Sequence, residues 1–152
     1  MGYKCELAEQ PGQPVLSIRT RTTLENLPRF LGAAYGQIMK YLSEVGEYPA
    51  GAPYAAYHNM DMQDLDVEAG FPVSKTLPGK DEVRPGEILA GKHAYCLYTG
   101  PYCDCSPAYD ELTQWVKEKG YIPTGVAIEF YLNDPAQTPE SELQTKIVFP
   151  LK

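Results

Sequence analysis

An internal repeat constrains the fold of this chain more than any other feature of its sequence. Residues 34–59, AYGQIMKYLSEVGEYPAGAPYAAYHN, align without a gap with residues 108–133, AYDELTQWVKEKGYIPTGVAIEFYLN, at a constant offset of 74, and eight of the 26 positions are identical. Residues 64–73 then align with residues 142–151 at an offset of 78, because four additional residues fall in a turn at 134–139. A repeat of this length indicates one structural module present twice.

The first module, about residues 14–75, predicts the order strand, helix, strand, strand. Alternating Leu16, Ile18 and Thr20 indicate the first strand. Apolar residues at helical spacing follow from about Pro28, and Gly46 is a typical residue to end the helix. Two strands are predicted near 53–61 and 65–74, and the proline- and glycine-rich stretch 76–86 is predicted to be a loop.

The second module, about residues 86–152, predicts the same order. GKHAYCLYT indicates a strand, and Ser106-Pro107 indicates a helix start. This helix is predicted to end at Gly120, with strands near 125–133 and 142–150 after it. Two βαββ modules predict a single α+β domain with pseudo-two-fold symmetry, in which two helices cover one face of an antiparallel sheet and a central cleft lies on the other.

The stretch GVAIEFYLNDP, residues 125–135, places a carboxylate in the middle of a hydrophobic strand. Its alternation assigns Ile128, Phe130 and Leu132 to the side under the helices, and Ala127, Glu129 and Tyr131 to the uncovered face. The repeat assigns Pro53, Ala55 and Tyr57 to the same uncovered face, together with Glu68 of the following strand. A carboxylate among aromatic rings suits a lipophilic cation, because each ring adds a cation–π attraction.

Composition narrows the class of partner. The formal net charge is −7 and no run of lysine or arginine occurs, so the sequence predicts neither nucleic-acid binding nor attraction to an anionic membrane. Twelve tyrosines exceed the need of a small core, which favours an aromatic binding cleft. The N-terminal MGYKCELAEQPG lacks the apolar core of a signal peptide, which predicts a cytoplasmic location.

Metal, cofactor and acyl-enzyme chemistry are not expected from the residues. Cys103 and Cys105 form a C-x-C, but His58 and His93 are the only histidines and no second cysteine pair is spaced to complete a metal site. The thiols are therefore interpreted as incidental. No Ser-His-Asp or Cys-His arrangement is evident.

The motifs of the second module resemble those of the GyrI-like family, above all AGKHAYCLYTGPY, AYDELTQWVKEKGYIPTG and IEFYLNDPAQTPESELQTKIVFPL. DVEAGFPV of the first module fits the same pattern. The family comprises effector-binding domains of AraC- and MerR-type multidrug regulators and the gyrase-inhibitory protein. The resemblance implies a central cleft for bulky aromatic or cationic molecules, with the glutamate at the position of Glu129 as the signature ligand contact. It also implies a cofactor-independent alternative, because a subset of similar proteins hydrolyses cyclopropane-containing DNA alkylators within an aromatic cage.

The resemblance has one departure and leaves three functions open. The regulators carry a helix-turn-helix domain before this module, whereas about fourteen residues precede the first predicted strand here, so a stand-alone protein is expected. The favoured interpretation is a binding protein that senses, sequesters or detoxifies lipophilic compounds. The alternatives are a hydrolase of strained electrophiles and an interaction protein that blocks an enzyme such as gyrase. A separate regulator or gyrase partner stays unidentified.

The candidate ligand-binding residues follow from these two lines of reasoning. If the protein is an enzyme, Glu129 and Tyr131 are the predicted catalytic pair. Glu68 is alternatively predicted to form a salt bridge with Arg19 or Arg21. Core packing is preferred to ligand contact for Tyr109 and Trp115, and His58 is assigned a structural role on the helix side with Ala56. The full set of predicted ligand contacts is Glu129, Tyr131, Tyr57, Glu68, Tyr98 and Trp115.

Overall fold

The sequence repeat corresponds to two units of the chain in a computed structural model, which describes residues 3–59, 61, 63–101, 104–134 and 136–152. The first unit comprises residues 11–90, and the second unit comprises residues 3–10 and 91–152. The described residues contain eight β-strands, two α-helices and a 3₁₀ turn at Glu140–Glu142. The strands and helices are β1 Cys5–Gln10, β2 Gln13–Thr22, α1 Leu27–Glu44, β3 Tyr54–Tyr57, β4 Leu65–Pro72, β5 Arg84–Ile88, β6 Gly91–Thr99, α2 Ser106–Glu118, β7 Ala127–Tyr131 and β8 Gln144–Pro150.

The strands of each unit are antiparallel, and the predicted α+β class is confirmed. The strand order is β3-β4-β2-β5 in the first unit and β1-β6-β8-β7 in the second. Each helix has a proline in its first turn and is followed by a glycine at positive φ, 72° at Gly46 and 80° at Gly120. Both glycines adopt the left-handed conformation that ends a helix, as the sequence predicts.

Two strands escaped prediction. β1 lies within the residues that precede the first predicted strand and pairs with β6, and β5 overlaps the end of the predicted loop 76–86 and pairs with β2. β5 contains Pro85 and Gly86 and is almost wholly exposed. Proline and glycine usually indicate a loop, but both are tolerated on an edge strand, where one row of backbone groups needs no partner.

The core of each unit lies between its helix and one face of its sheet, termed here the helix-side face. In the first unit, Ile38 and Leu42 of α1 pack with Leu16, Ala69 and Phe71. The second unit has the equivalent arrangement on α2, formed by Leu112, Val116, Cys96, Ile147 and Phe149. The burial of these side chains is what holds each helix on its sheet.

The face assignment of β3 and β7 from the sequence is wrong. Directly opposed residues of antiparallel strands lie on the same face. Glu129 is opposite Ile147, and Ala55 is opposite Ala69, so both lie on the helix-side face. Ala127 and Tyr131 lie on the same side as Glu129, with Ile128 on the other face opposite Val148.

The reason for the error is that both faces of β7 are partly buried. Ile128 and Val148 are 5% and 3% exposed although they lie away from α2. Alternation therefore divided the strand into two sets correctly but carried no information about which set the helix covers. No helix in the described part of the chain is both long and apolar enough to span a membrane.

Candidate functional site

The Glu129 carboxylate accepts hydrogen bonds from two tyrosines of the second unit. Tyr131, two residues along β7, donates from its hydroxyl to Oε1 at 2.9 Å. Tyr109 donates to Oε2 from the first turn of α2. The helix brings Tyr109 there because it packs on the same core as Leu112 and Val116. The two hydroxyls thus occupy both oxygens of one partly buried carboxylate.

The electrostatics of Glu129 are those of a carboxylate without a counter-charge. Burial raises the pKa of Glu129 above its ordinary value of 4.5, and the hydrogen bonds from Tyr109 and Tyr131, which lower it, do not offset this effect. Among the described residues, no lysine, arginine or histidine forms a salt bridge with this group. A cation entering here would supply the missing charge.

Aromatic side chains surround the same helix-side core. The ring of Tyr109 packs against Phe149 with centroids 5.9 Å apart. Tyr98 is 3% exposed, its hydroxyl donates to the Pro101 carbonyl at 2.7 Å, and its ring lies 6.0 Å from that of Tyr3. Trp115 packs against this core from α2. The structure therefore brings Tyr98, Trp115, Tyr131 and Glu129 into one unit.

Glu68 lies in the first unit and is already paired. Tyr54 donates to its Oε2 at 2.6 Å, and His58 Nε2 lies 3.2 Å from its Oε1. Burial would raise the pKa of Glu68, but the hydrogen bonds from His58 and Tyr54 prevail and lower it. The salt-bridge interpretation of Glu68 is the one the structure favours.

The predicted partners of Glu68 need correction. Arg19 forms two hydrogen bonds with Asp66, at 2.8 and 2.7 Å, and Arg21 forms two with Asp64, both at 3.0 Å. Neither arginine therefore forms the salt bridge with Glu68. The imidazole of His58 is the partner of Glu68 instead, and it lies away from the helix, because Ala56 is opposite Glu68 on the face that α1 does not cover.

Tyr57 is the repeat counterpart of Tyr131 and occupies the equivalent place in the first unit. It lies on β3 opposite Val67, on the helix-side face. Glu68 lies on the other face of that sheet, so the structure does not bring these two predicted ligand contacts together within their unit.

Tyr109 is a residue for which the sequence favoured core packing over ligand contact. Its ring does pack in the core, but its hydroxyl contacts Glu129. The signal was present in the repeat, since Tyr35 and Tyr109 are identical counterparts near the start of each helix. It was missed because Glu129 was placed on the face away from α2.

The described residues contain no group of three or more histidine, cysteine or acidic side chains placed to hold a metal. Cys5 and Cys96 are free thiols. The C-x-C cannot be described further, because Cys103 lies outside the described residues.

An open surface cavity of about 350 Å³ is lined by Gly79, Lys80, Asp81, Arg84 and Pro85. These residues are exposed, and they include neither an aromatic ring nor a buried carboxylate. The cavity therefore lacks the features expected of a site for a lipophilic molecule.

Fold and sequence together define the class of this protein as a GyrI-like small-molecule-binding domain. The sequence profile of that domain matches residues 3–152, so the chain belongs to the GyrI-like family. No curated protein matches the sequence.

Solved structures show the same fold. The C-terminal domain of EcmrR is 24% identical with a TM-score of 0.87, and the comparison covers 100% of this chain and 99% of that domain. The EcmrR chain in a DNA complex is 23% identical with a TM-score of 0.85. That comparison covers 99% of this chain but only 57% of the EcmrR chain. A hydrolase from Listeria innocua is 14% identical, with a TM-score of 0.73 and coverages of 99% and 93%. SAV2435 bound to tetraphenylphosphonium is 10% identical, with a TM-score of 0.70 and coverages of 100% and 94%.

Proposed function

We propose that this protein binds bulky lipophilic cations at Glu129. The observation that carries the proposal is a partly buried carboxylate with raised pKa, two tyrosine donors and no basic partner among the described residues. Burying an ionised carboxylate without a counter-charge is unfavourable, so a cation that reaches it gains a strong electrostatic interaction.

The rings around Glu129 select for lipophilic character. The hydroxyl groups of Tyr109 and Tyr131 contact Glu129, so both rings lie next to the carboxylate, and an aromatic face attracts a cation by roughly 0.5–2 kcal/mol. A small hydrated cation would lose its water shell here without gaining apolar contact. A large organic cation is weakly hydrated, so its desolvation costs little free energy, and its apolar surface is buried on binding. Tetraphenylphosphonium, the molecule bound to SAV2435, has this chemistry and is a suitable probe.

The hydroxyl groups of Tyr109 and Tyr131 stabilise the Glu129 carboxylate in the ligand-free protein. They satisfy both oxygens of Glu129 while no cation is present. Ligand entry between α2 and the sheet replaces at least one of these hydrogen bonds by the interaction with the cation. The site is therefore expected to open by movement of Tyr109 together with the first turn of α2.

Tetraphenylphosphonium titration followed by fluorescence of Trp115 tests the proposal. Glu129→Gln preserves the size of the side chain and removes its charge, so we expect affinity to fall by about 10–100-fold. Glu68→Gln is the matched control, because it neutralises the other partly buried glutamate, and affinity should stay within about twofold. Wild-type affinity should also fall as the pH drops through the pKa of Glu129, which lies above 4.5. Equal binding by wild type and Glu129→Gln would refute a site at this carboxylate.

A second candidate is hydrolysis of a strained electrophile. The observation favouring it is the raised pKa of Glu129 beside two tyrosine hydroxyls, because a carboxylate with raised pKa is the stronger base. Glu129 would take a proton from the attacking water while a tyrosine hydroxyl donates to the oxygen on which charge develops. Turnover of a cyclopropane-containing alkylator by wild type and not by Glu129→Gln would establish this activity. Tight binding without turnover would leave the binding function alone.

A further inference from the structure

A second polar group of the second unit is buried near Glu129, and it has no hydrogen-bond partner among the residues that the structure describes. Thr145 is 2% exposed, and its Oγ1 has no hydrogen-bond partner in the described part of the chain. Buried hydroxyls are almost always paired, because leaving one unpaired costs free energy. The exception at Thr145 therefore needs a physical explanation.

Sheet register places this hydroxyl within the candidate site. Thr145 of β8 is opposite Tyr98 on one side and opposite Tyr131 on the other, so the three side chains form a row on the helix-side face. Glu129 is opposite Ile147, in the adjacent row, which makes Glu129 and Thr145 diagonal neighbours. Such neighbours are about 7–8 Å apart, a span that one organic molecule bridges.

The repeat shows that packing alone does not require the hydroxyl. Val67 is the counterpart of Thr145 in the first unit, and it is 0% exposed. Valine and threonine have the same shape, so both fit such a position. Ala55 is likewise the counterpart of Glu129. Both polar groups thus belong to the second unit only, and both stand on its helix-side face.

We propose that Thr145 is a specificity-determining ligand contact, whose hydroxyl hydrogen-bonds the molecule held at Glu129. The inference rests on the proposed function and names a narrower ligand class, which is lipophilic cations that carry a hydrogen-bonding group. Because a hydroxyl both donates and accepts, it pairs with an N–H or with a carbonyl oxygen. A cation without such a group gains nothing from Thr145.

Two cationic probes separate this role from simple packing. Rhodamine 6G carries N–H donors and an ester, whereas tetraphenylphosphonium has no hydrogen-bonding group. Thr145→Val should weaken rhodamine 6G binding by about tenfold and leave tetraphenylphosphonium binding within about twofold. Thr145→Ser keeps the hydroxyl and should retain most of the rhodamine 6G affinity. The thermal midpoint of each variant verifies that it is folded.

The outcomes distinguish this inference from the proposed function. If wild type binds both probes, Glu129→Gln binds neither, and Thr145→Val changes neither affinity, the inference fails while the function at Glu129 stands. An equal loss of both probes on Thr145→Val would also overturn it, since that pattern reports packing. If wild type binds neither probe, both the proposed function at Glu129 and the role of Thr145 are refuted.

Discussion

The two units of the chain have the same aromatic pair beneath their helices but use it differently. In the first unit, Tyr35 of α1 packs against Phe71 with ring centroids 5.5 Å apart. Their repeat counterparts in the second unit, Tyr109 and Phe149, are 5.9 Å apart. The Tyr35 hydroxyl donates to the Tyr54 backbone carbonyl at 2.8 Å, whereas the Tyr109 hydroxyl donates to the Glu129 side chain. One unit therefore uses its tyrosine for structure, and the other directs it at a carboxylate.

A single position accounts for most of this difference. Ala55 of the first unit is 0% exposed and apolar, and its counterpart is Glu129. The two modules have similar cores, each formed by one helix and one sheet face. Only the second core has a carboxylate at this position, and that carboxylate requires a hydrogen-bonding or charged partner. The first unit illustrates how such a core packs when an alanine occupies that position.

The two partly buried glutamates sharpen the comparison. Glu68 has a histidine and a tyrosine as partners and a lowered pKa, whereas Glu129 has two tyrosines and a raised pKa. Both carboxylates accept hydrogen bonds from hydroxyl groups, Glu68 from Tyr54 and Ser17 and Glu129 from Tyr109 and Tyr131. The presence of a basic partner separates them. A partly buried carboxylate with an imidazole partner supports the fold, and one without such a partner is available to a ligand.

Transferring the carboxylate to the first unit should have the largest effect. Ala55→Glu places a charged side chain at a position with 0% exposure, so we expect a loss of about 3–5 kcal/mol in the free energy of unfolding. Urea denaturation near neutral pH measures it. Ala55→Gln is the matched control, because it introduces the same volume without the charge and separates overpacking from burial of the charge. Full stability of Ala55→Glu would mean that the first unit already accommodates a carboxylate, and the comparison would break.

Removing the partner of Glu68 should have an intermediate effect. His58→Ala leaves the Glu68 carboxylate with Tyr54 but without its basic neighbour, which should cost about 1–3 kcal/mol. The double variant His58→Ala with Glu68→Gln should recover part of this loss, because no unpaired charge then remains. Chemical denaturation of His58→Ala, Glu68→Gln and the double variant, beside wild type, gives the coupling free energy. A coupling near zero would mean that Glu68 is no better compensated than Glu129.

Much of the fold could be predicted from the sequence because the repeat reports the same module twice. Each helix is marked by local signals that tertiary contacts do not change. Pro28 and Pro107 lie in the first turns of the two helices, and Gly46 and Gly120 follow their last turns. β1 and β5 could not be predicted, because an edge strand is stabilised by its neighbour rather than by its own composition.

The candidate site was predictable in its central residue but not in its surroundings. Glu129 and Tyr131 follow from the strand pattern and the family resemblance, and the contact between them is local in sequence. Tyr109 and Thr145 join them only through helix packing and strand register, which depend on which face of β7 the helix covers. Alternation cannot specify that face when both sides of the strand are buried.

The smallest expected effect is the most direct measure of the difference between the two glutamates. The pKa of Glu129 is raised on folding, so the folded state holds its proton over a pH range in which the unfolded state has lost it. The free energy of unfolding therefore falls as pH rises from about 4.5 through the folded pKa. Glu129→Gln has no carboxyl group to titrate, so its free energy of unfolding should rise relative to that of wild type as pH rises. The expected gain is about 1.4 kcal/mol for each unit by which folding raises the pKa of Glu129.

Glu68 should give the opposite trend, because its pKa is lowered on folding. Its contribution is present above about 4.5 and is lost as pH falls through the folded pKa. Glu68→Gln should therefore be less stable than wild type near neutral pH and approach it in acid. Urea midpoints of wild type and both variants across the acidic to neutral range measure the two slopes. Slopes of equal sign would show that the two carboxylates have the same environment, and the case for Glu129 as the uncompensated one would be lost.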